Sequence, residues 1–296
     1  MRNALRLGAK AFVVMAAATA LAAPSGIAGA RDGVRGRAQA SIDGVALDVF
    51  TYRPSCPLTG ILLVFHGTDR DAEEYRDHAR SIAERACLAV YAPLFDRDRF
   101  PNWSYHRGGI AQDGVVRPRR RWTARLAPDL VAWARGREPT IAGPVYLFGH
   151  SAGGQYLSRA VAYTDLARMP EIARIVIANP ATHVAPSLAE RAPYGFAGAF
   201  ATKHRRERLR RYLAAPITIY LGAEDTGSRH LTRSQAADRQ GENRLERGRN
   251  VFEQARAEAA RHGWPFGWRL TIAPGAGHSA EDMLAHEAAP GAFGLD

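Results

Sequence analysis

Short apolar runs alternate along the chain with longer amphipathic stretches, and that rhythm predicts its architecture. Two strand-like segments spanning 40–52 flank Asp43-Gly44, a dipeptide suited to the left-handed positions of a tight turn, and predict a β-hairpin. Ile61 to Phe65, Leu88 to Ala92 and Val145 to Phe148 are continuous apolar runs, the pattern of strands covered on both faces. Pro93 stops the second of them. Further strands are expected over Arg174 to Ala178, Ile217 to Leu221 and Trp268 to Ala273. Helical periodicity marks Asp71 to Ala86, Leu126 to Ala134, 152–163, 245–261 and a terminal stretch from about Ala280. Strands alternating with helices predict βαβ units, hence an α/β fold with a doubly wound, mostly parallel sheet preceded by the hairpin. No repeat or long linker divides 40–296, which is taken as one domain.

Two stretches depart from the rhythm. Phe95 to Thr123 holds Pro101, Trp103, Tyr105, Gly108 and Gly109, then Arg117 and Arg119 to Arg121. Pro180 to Ala215 holds Tyr194-Gly195-Phe196 and a charge run from Lys203 to Arg211, and a small lid is expected on the fold. Both follow strands, which places them at the carboxyl edge of the sheet, where open α/β folds bind ligands.

The N-terminal segment has a different character. Arg2, Arg6 and Lys10 precede an uncharged, alanine-rich run from Ala11 to Ala23, and Ala28-Gly29-Ala30 follows. That order predicts a secretory signal peptide over 1–30, removed after Ala30, with a loose stretch over 31–39. The apolar run ends at Pro24 and is too short to span a bilayer. Over 296 residues, 46% hydrophobic and 23% charged, the composition is globular and the formal charge is +11. All but two of the 40 basic residues are arginines, scattered rather than interleaved with aromatics, which argues against nucleic acid as a partner. No metal-ligand spacing occurs, so no metal or cofactor is expected.

The chemistry-bearing motif is Gly149-His150-Ser151-Ala152-Gly153, a G-x-S-x-G sequence between a predicted strand and a predicted helix. Such a turn is so tight that its flanks must be small, and it raises the serine hydroxyl above the sheet beside a helix N-terminus. Serine needs a base held by a third group, and in this architecture the order is serine, acid, histidine. Gly222-Ala223-Glu224-Asp225 follows one strand and Gly275-Ala276-Gly277-His278 follows the last. Ser151, Asp225 and His278 are therefore the expected triad, with Glu224 the alternative acid. His66-Gly67-Thr68 ends the first buried strand, so the backbone N–H groups of Thr68 and Ala152 are the expected oxyanion hole. His66 is read as bracing that loop, and His150 as packing behind the turn.

With these four motifs in this order, the chain resembles the α/β-hydrolase fold family, from the hairpin to its end. Within that family it is similar to exported esterases of the polyhydroxybutyrate depolymerase and feruloyl esterase-like groups. The resemblance implies a secreted or periplasmic serine hydrolase that cleaves carboxylic esters, short oligoesters or hydroxy-acid esters, without a cofactor. The same residues would serve an amidase or peptidase acting on an anionic polymer such as polyaspartate, and a non-catalytic binding protein on this scaffold is the reading from another class. No carbohydrate- or polymer-binding module accompanies the catalytic domain. Trp103, Tyr105, Tyr194 and Phe196 are expected to wall the substrate site, with Arg107, Arg117, Arg119 to Arg121 and Arg205 to Arg211 making its rim positive. In this fold the strands after Cys56 and Cys87 are parallel neighbours, so the two cysteines are a candidate disulfide; a buried thiol and a loop thiol are the alternative.

Overall fold

A computed structural model describes residues 33–295, besides Met1; the expected leader, Met1 apart, lies outside them. The hairpin forms β1 (Val34–Ile42) and β2 (Val45–Arg53). β3 (Gly60–Phe65), α1 (Ala72–His78), α2 (Arg80–Ala86) and β4 (Leu88–Pro93) follow. The long segment after β4 carries α3 (Asn102–Tyr105) and a ribbon of two-residue strands, β5 (Ala111–Gln112) and β6 (Val115–Val116). Next come α4 (Leu126–Arg137), β7 (Val145–His150), α5 (Ala152–Tyr163), β8 (Ile172–Ala178), α6 (Thr202–Ala214) and β9 (Ile217–Gly222). The chain closes with α7 (Gln235–Asp238), α8 (Arg244–His262), β10 (Arg269–Ala273), α9 (Ala280–Ala285) and α10 (Ala289–Phe293).

Eight strands form one sheet in the order β1-β2-β4-β3-β7-β8-β9-β10. The hairpin pairs antiparallel at one edge, and the six strands from β4 to β10 run parallel. Side chains alternate between the faces, so a wholly apolar strand feeds two cores. Leu62 and Val64 join Ala79, Ile82, Met283 and Phe293 beneath α1, α2, α9 and α10. Ile61, Leu63 and Phe65 join Leu130, Tyr156, Leu157 and Leu209 beneath α4, α5 and α6.

The sequence pattern misjudges three places. Residues 34–39, expected to be loose, belong to β1, which pairs with β2 from Val34↔Arg53 onward. Their side chains are mostly exposed, so backbone pairing holds this edge and leaves no apolar signature. The helix expected over 71–86 is two helices meeting at Ala79. The charge run of 203–211 lies on α6, whose Leu209, Tyr212 and Leu213 are buried.

The parallel register Gly60↔Leu88 aligns the starts of β3 and β4. Cys56 and Cys87 stand there with Cα atoms 5.7 Å apart and are joined as a disulfide. Alkylation without reductant should therefore label no thiol, as read by mass. Serine replacement of the pair should destabilise the fold by about 2–4 kcal/mol in denaturant titrations. Two labelled thiols in the native protein would remove the bridge.

Candidate active site

β7 delivers Ser151 to the carboxyl edge of the sheet and α5 starts at the next residue. Ser151 has φ 55° and ψ −112°, a strained conformation for a residue with a side chain. Only very small neighbours allow it. A Cβ at Gly149 would come within 2.4 Å of the Gly153 carbonyl, and one at Gly153 within 2.0 Å of the Phe65 carbonyl. The turn is held by Ser151 N–H donating to Ala178 O at 2.9 Å and by Gln155 N–H donating to Ser151 O at 3.0 Å.

The loops after β9 and β10 meet this turn. His278 Nε2 lies 3.1 Å from Ser151 Oγ, and His278 Nδ1 lies 2.7 Å from Asp225 Oδ2. Asp225 is buried, whereas the neighbouring Glu224 is exposed and makes its contact through its backbone, N–H to Ala276 O at 2.9 Å. The structure thus brings Ser151, His278 and Asp225 together and leaves Glu224 outside.

Two supporting residues went unnoticed in the sequence. Asn179, at the end of β8, accepts from Gly222 N–H at 2.9 Å and donates to Gly277 O at 3.1 Å, tying the β9 end to the histidine loop. Arg244, in the first turn of α8, is buried and places Nη1 3.3 Å from Asp225 Oδ1. No periodicity signals either, because each acts through backbone or partner groups far away in sequence.

On the other side, β3 ends at Phe65 and the chain turns through His66, Gly67 and Thr68. His66 is fully buried, and burial lowers its pKa to about 3, so its ring is neutral. Its Nδ1 lies 2.9 Å from Gly67 O and its Nε2 3.0 Å from the Phe95 N–H, which fixes Nδ1 as the protonated nitrogen. The ring braces this loop against the segment after β4. Arg97 secures the loop further by donating to Thr68 O at 3.1 Å. His150 is buried behind the turn, its ring tilted against His278 at 4.7 Å between centroids, and has its pKa pushed down by burial and by His278.

Ser151 and Ala152 open into a cavity of about 420 Å³ that Thr68, Gln155, His106 and Leu231 also line. Beside it lies a larger chamber of about 740 Å³, with Trp103 and Tyr194 among its walls. Arg97, Asn102 and Arg107 line both and form the threshold between them.

Several expected wall and rim residues lie elsewhere. Tyr105 is buried, donates to His66 O at 2.9 Å and stacks on Phe95 and Tyr156, so it supports the loop and does not face substrate. Phe196 is buried against Tyr163 and Tyr212. Aromatic residues on a loop look alike in sequence whether they cap a core or wall a cleft. Arg208 on α6 pairs with Asp165, just past the C-terminus of α5, about 18 Å of helix from Ser151. None of the α6 arginines lines the cavity beside Ser151 or the chamber next to it. Arg117 lies over Trp103, and Arg119 over Trp122 and Phe200. Neither they nor Arg120 and Arg121 line the two chambers, whose cations are Arg97, Arg107 and Arg191.

Among the described residues no group of three or more His, Cys, Asp or Glu side chains could hold a metal, and no helix is long and apolar enough to cross a membrane. No family model and no curated protein matches the chain. Solved structures do. The poly(3-hydroxybutyrate) depolymerase LpqC from Bordetella parapertussis is 33% identical, with a TM-score of 0.76 over 85% of this chain and 87% of its own. Poly(aspartic acid) hydrolase-1 from Sphingomonas sp. KT-1 is 31% identical, with a TM-score of 0.76 over 85% of this chain and 96% of its own. An S-formylglutathione hydrolase from Agrobacterium tumefaciens, 16% identical with a TM-score of 0.50 over 85% of this chain and 91% of its own, shares the fold. With its strained turn at Ser151, mostly parallel sheet and these relatives, the chain belongs to the α/β-hydrolase fold serine hydrolases, in their depolymerase- and esterase-like branch.

Proposed function

We propose that this protein is an exported hydrolase that cleaves carboxylic esters through an acyl-enzyme formed on Ser151. The observation that carries the reading is the hydrogen-bonded chain Ser151–His278–Asp225 at 3.1 and 2.7 Å. His278 Nε2 takes the Ser151 proton as Oγ attacks the ester carbonyl, and Asp225 keeps the imidazole in the required tautomer. The carbonyl oxygen becomes an anion held by the N–H groups of Thr68 and Ala152, each contributing about 3–4 kcal/mol to the transition state. As the tetrahedral intermediate collapses, His278 returns the proton to the departing alcohol. Water then repeats the sequence through the same base, releasing the acid and restoring the serine. Export rests on the leader-like order of charges and apolar residues before Arg31, and the Cys56–Cys87 bridge suits an oxidising compartment.

The two chambers support an oligomeric ester, one unit beside Ser151 and the next beyond the threshold. Arg97 and Arg107 at that threshold favour a substrate carrying a carboxylate. They equally favour the second reading, amide cleavage in a polyanion, the chemistry named for the Sphingomonas relative.

Ser151→Ala should abolish ester turnover and fluorophosphonate labelling while leaving the circular dichroism spectrum unchanged. Asp225→Asn should lower kcat by a factor on the order of 10⁴, because the imidazole then adopts the wrong tautomer. Glu224→Gln should be nearly silent, and a reversed order for the two acids would overturn the assignment. A panel of p-nitrophenyl esters and p-nitroanilides separates the readings: ester preference supports the first, anilide preference the second.

Charge recognition makes a separate prediction. The kcat/KM ratio of a carboxylate-bearing ester to its neutral counterpart should fall as salt shortens the Debye length from about 8–10 Å. Arg107→Gln should lower that ratio at low salt. A ratio indifferent to both changes would remove charge steering from the account.

A further inference from the structure

Arg244 is a costly residue where it stands. It is a buried cation in the first turn of a 19-residue helix, where the helix dipole favours negative charge. Such a group survives only if strong acceptors surround it. Here they all come from one loop: Asp225 Oδ1 at 3.3 Å, Gly227 O at 3.5 Å and Arg229 O at 2.6 Å. Asp225 therefore divides its two oxygens, Oδ1 towards a guanidinium and Oδ2 towards His278. The same loop carries His230, Leu231 and Thr232 to the cavity beside Ser151.

We propose that Arg244 is a positioning residue that fixes the Asp225 carboxylate and, through its charge, sets the pH at which His278 becomes free to act as base. The inference rests on the triad reading above. A fixed positive charge beside Asp225 weakens the carboxylate's hold on a proton shared with His278. Without that charge, the Asp225–His278 pair binds its proton more tightly, and a higher pH is needed to free the base. Other groups facing the pair are constant in this comparison. His150 is buried behind His278, Glu224 and His230 are exposed, and Arg247, next along α8, pairs with Asp238.

The test is the pH dependence of kcat/KM for a p-nitrophenyl ester with the full-length enzyme. In Arg244→Gln the acid limb should move up by about 1 pH unit, the lower end of what one nearby opposite charge does. In Arg244→Lys, which keeps the charge without the fork, the limb should stay within about 0.3 unit of wild type while kcat falls. An unmoved limb in Arg244→Gln, or an equal shift in both variants, overturns the proposal and leaves the arginine a purely structural part. If Arg244→Gln does not fold, a limb moved by a full unit in Arg244→Lys overturns it alone. Fluorophosphonate labelling of the wild type identifies failure of the triad reading itself, since an unlabelled wild type has no such base to poise.

Discussion

The strained turn at Ser151 is the constraint that the rest of the site is built around. The Phe65 and Gly153 carbonyls occupy the space a larger flank would need, so β3, β7 and α5 must approach one another closely. That approach requires strands buried on both faces, and β3 and β7 are buried from end to end. The cost of the positive φ is met by packing on both sides of the sheet, which holds a conformation the local sequence does not favour. Once the turn is fixed, the carboxyl ends of the neighbouring strands determine where everything else stands. β3 brings the Thr68 loop, β9 brings Asp225 and β10 brings His278.

A second theme is the internal use of arginine. Five arginines are buried among the described residues, and four of them bond to backbone of the irregular segments above the sheet. Arg70 donates to Phe95 O, Phe100 O and the Asn102 side chain. Arg159, on α5, reaches Thr182 O at 2.7 Å and Pro193 O at 3.2 Å. Arg247 reaches Ala181 O, Thr232 O and Gly241 O, and Arg244 holds the loop after β9. Long loops carry many carbonyls with no ladder to join, and a planar five-donor fork satisfies several at once. Burial lowers the pKa of all four, yet the acceptors around them keep the charged form compensated.

This explains which parts were legible in sequence. The alternation of apolar runs and amphipathic stretches located the strands because burial on two faces leaves no polar positions. The motif Gly149 to Gly153 located the strained turn at Ser151 because sterics restrict its flanks. Asp225 and His278 could be picked out because strand ends are where such groups must lie. Tyr105, Phe196 and the arginines of α6 were misassigned for one common reason: their roles depend on packing between loops, which no period encodes. Asn179 and Arg244 escaped notice because a buried arginine or asparagine bonded to distant groups looks like any other in a chain this rich in arginine.

The guanidinium ties have a consequence for how the walls can move. Arg247, rooted in α8, joins the segments at 181, 232 and 241 through one side chain. Displacing one segment strains the bonds to the others, so these loops share their motions. The threshold side chains have more freedom: Arg97 and Asn102 are exposed, and Arg107 is half-buried. Adaptation to ligands of different shape then falls to rotamers at the mouth, over backbone segments that one side chain holds together.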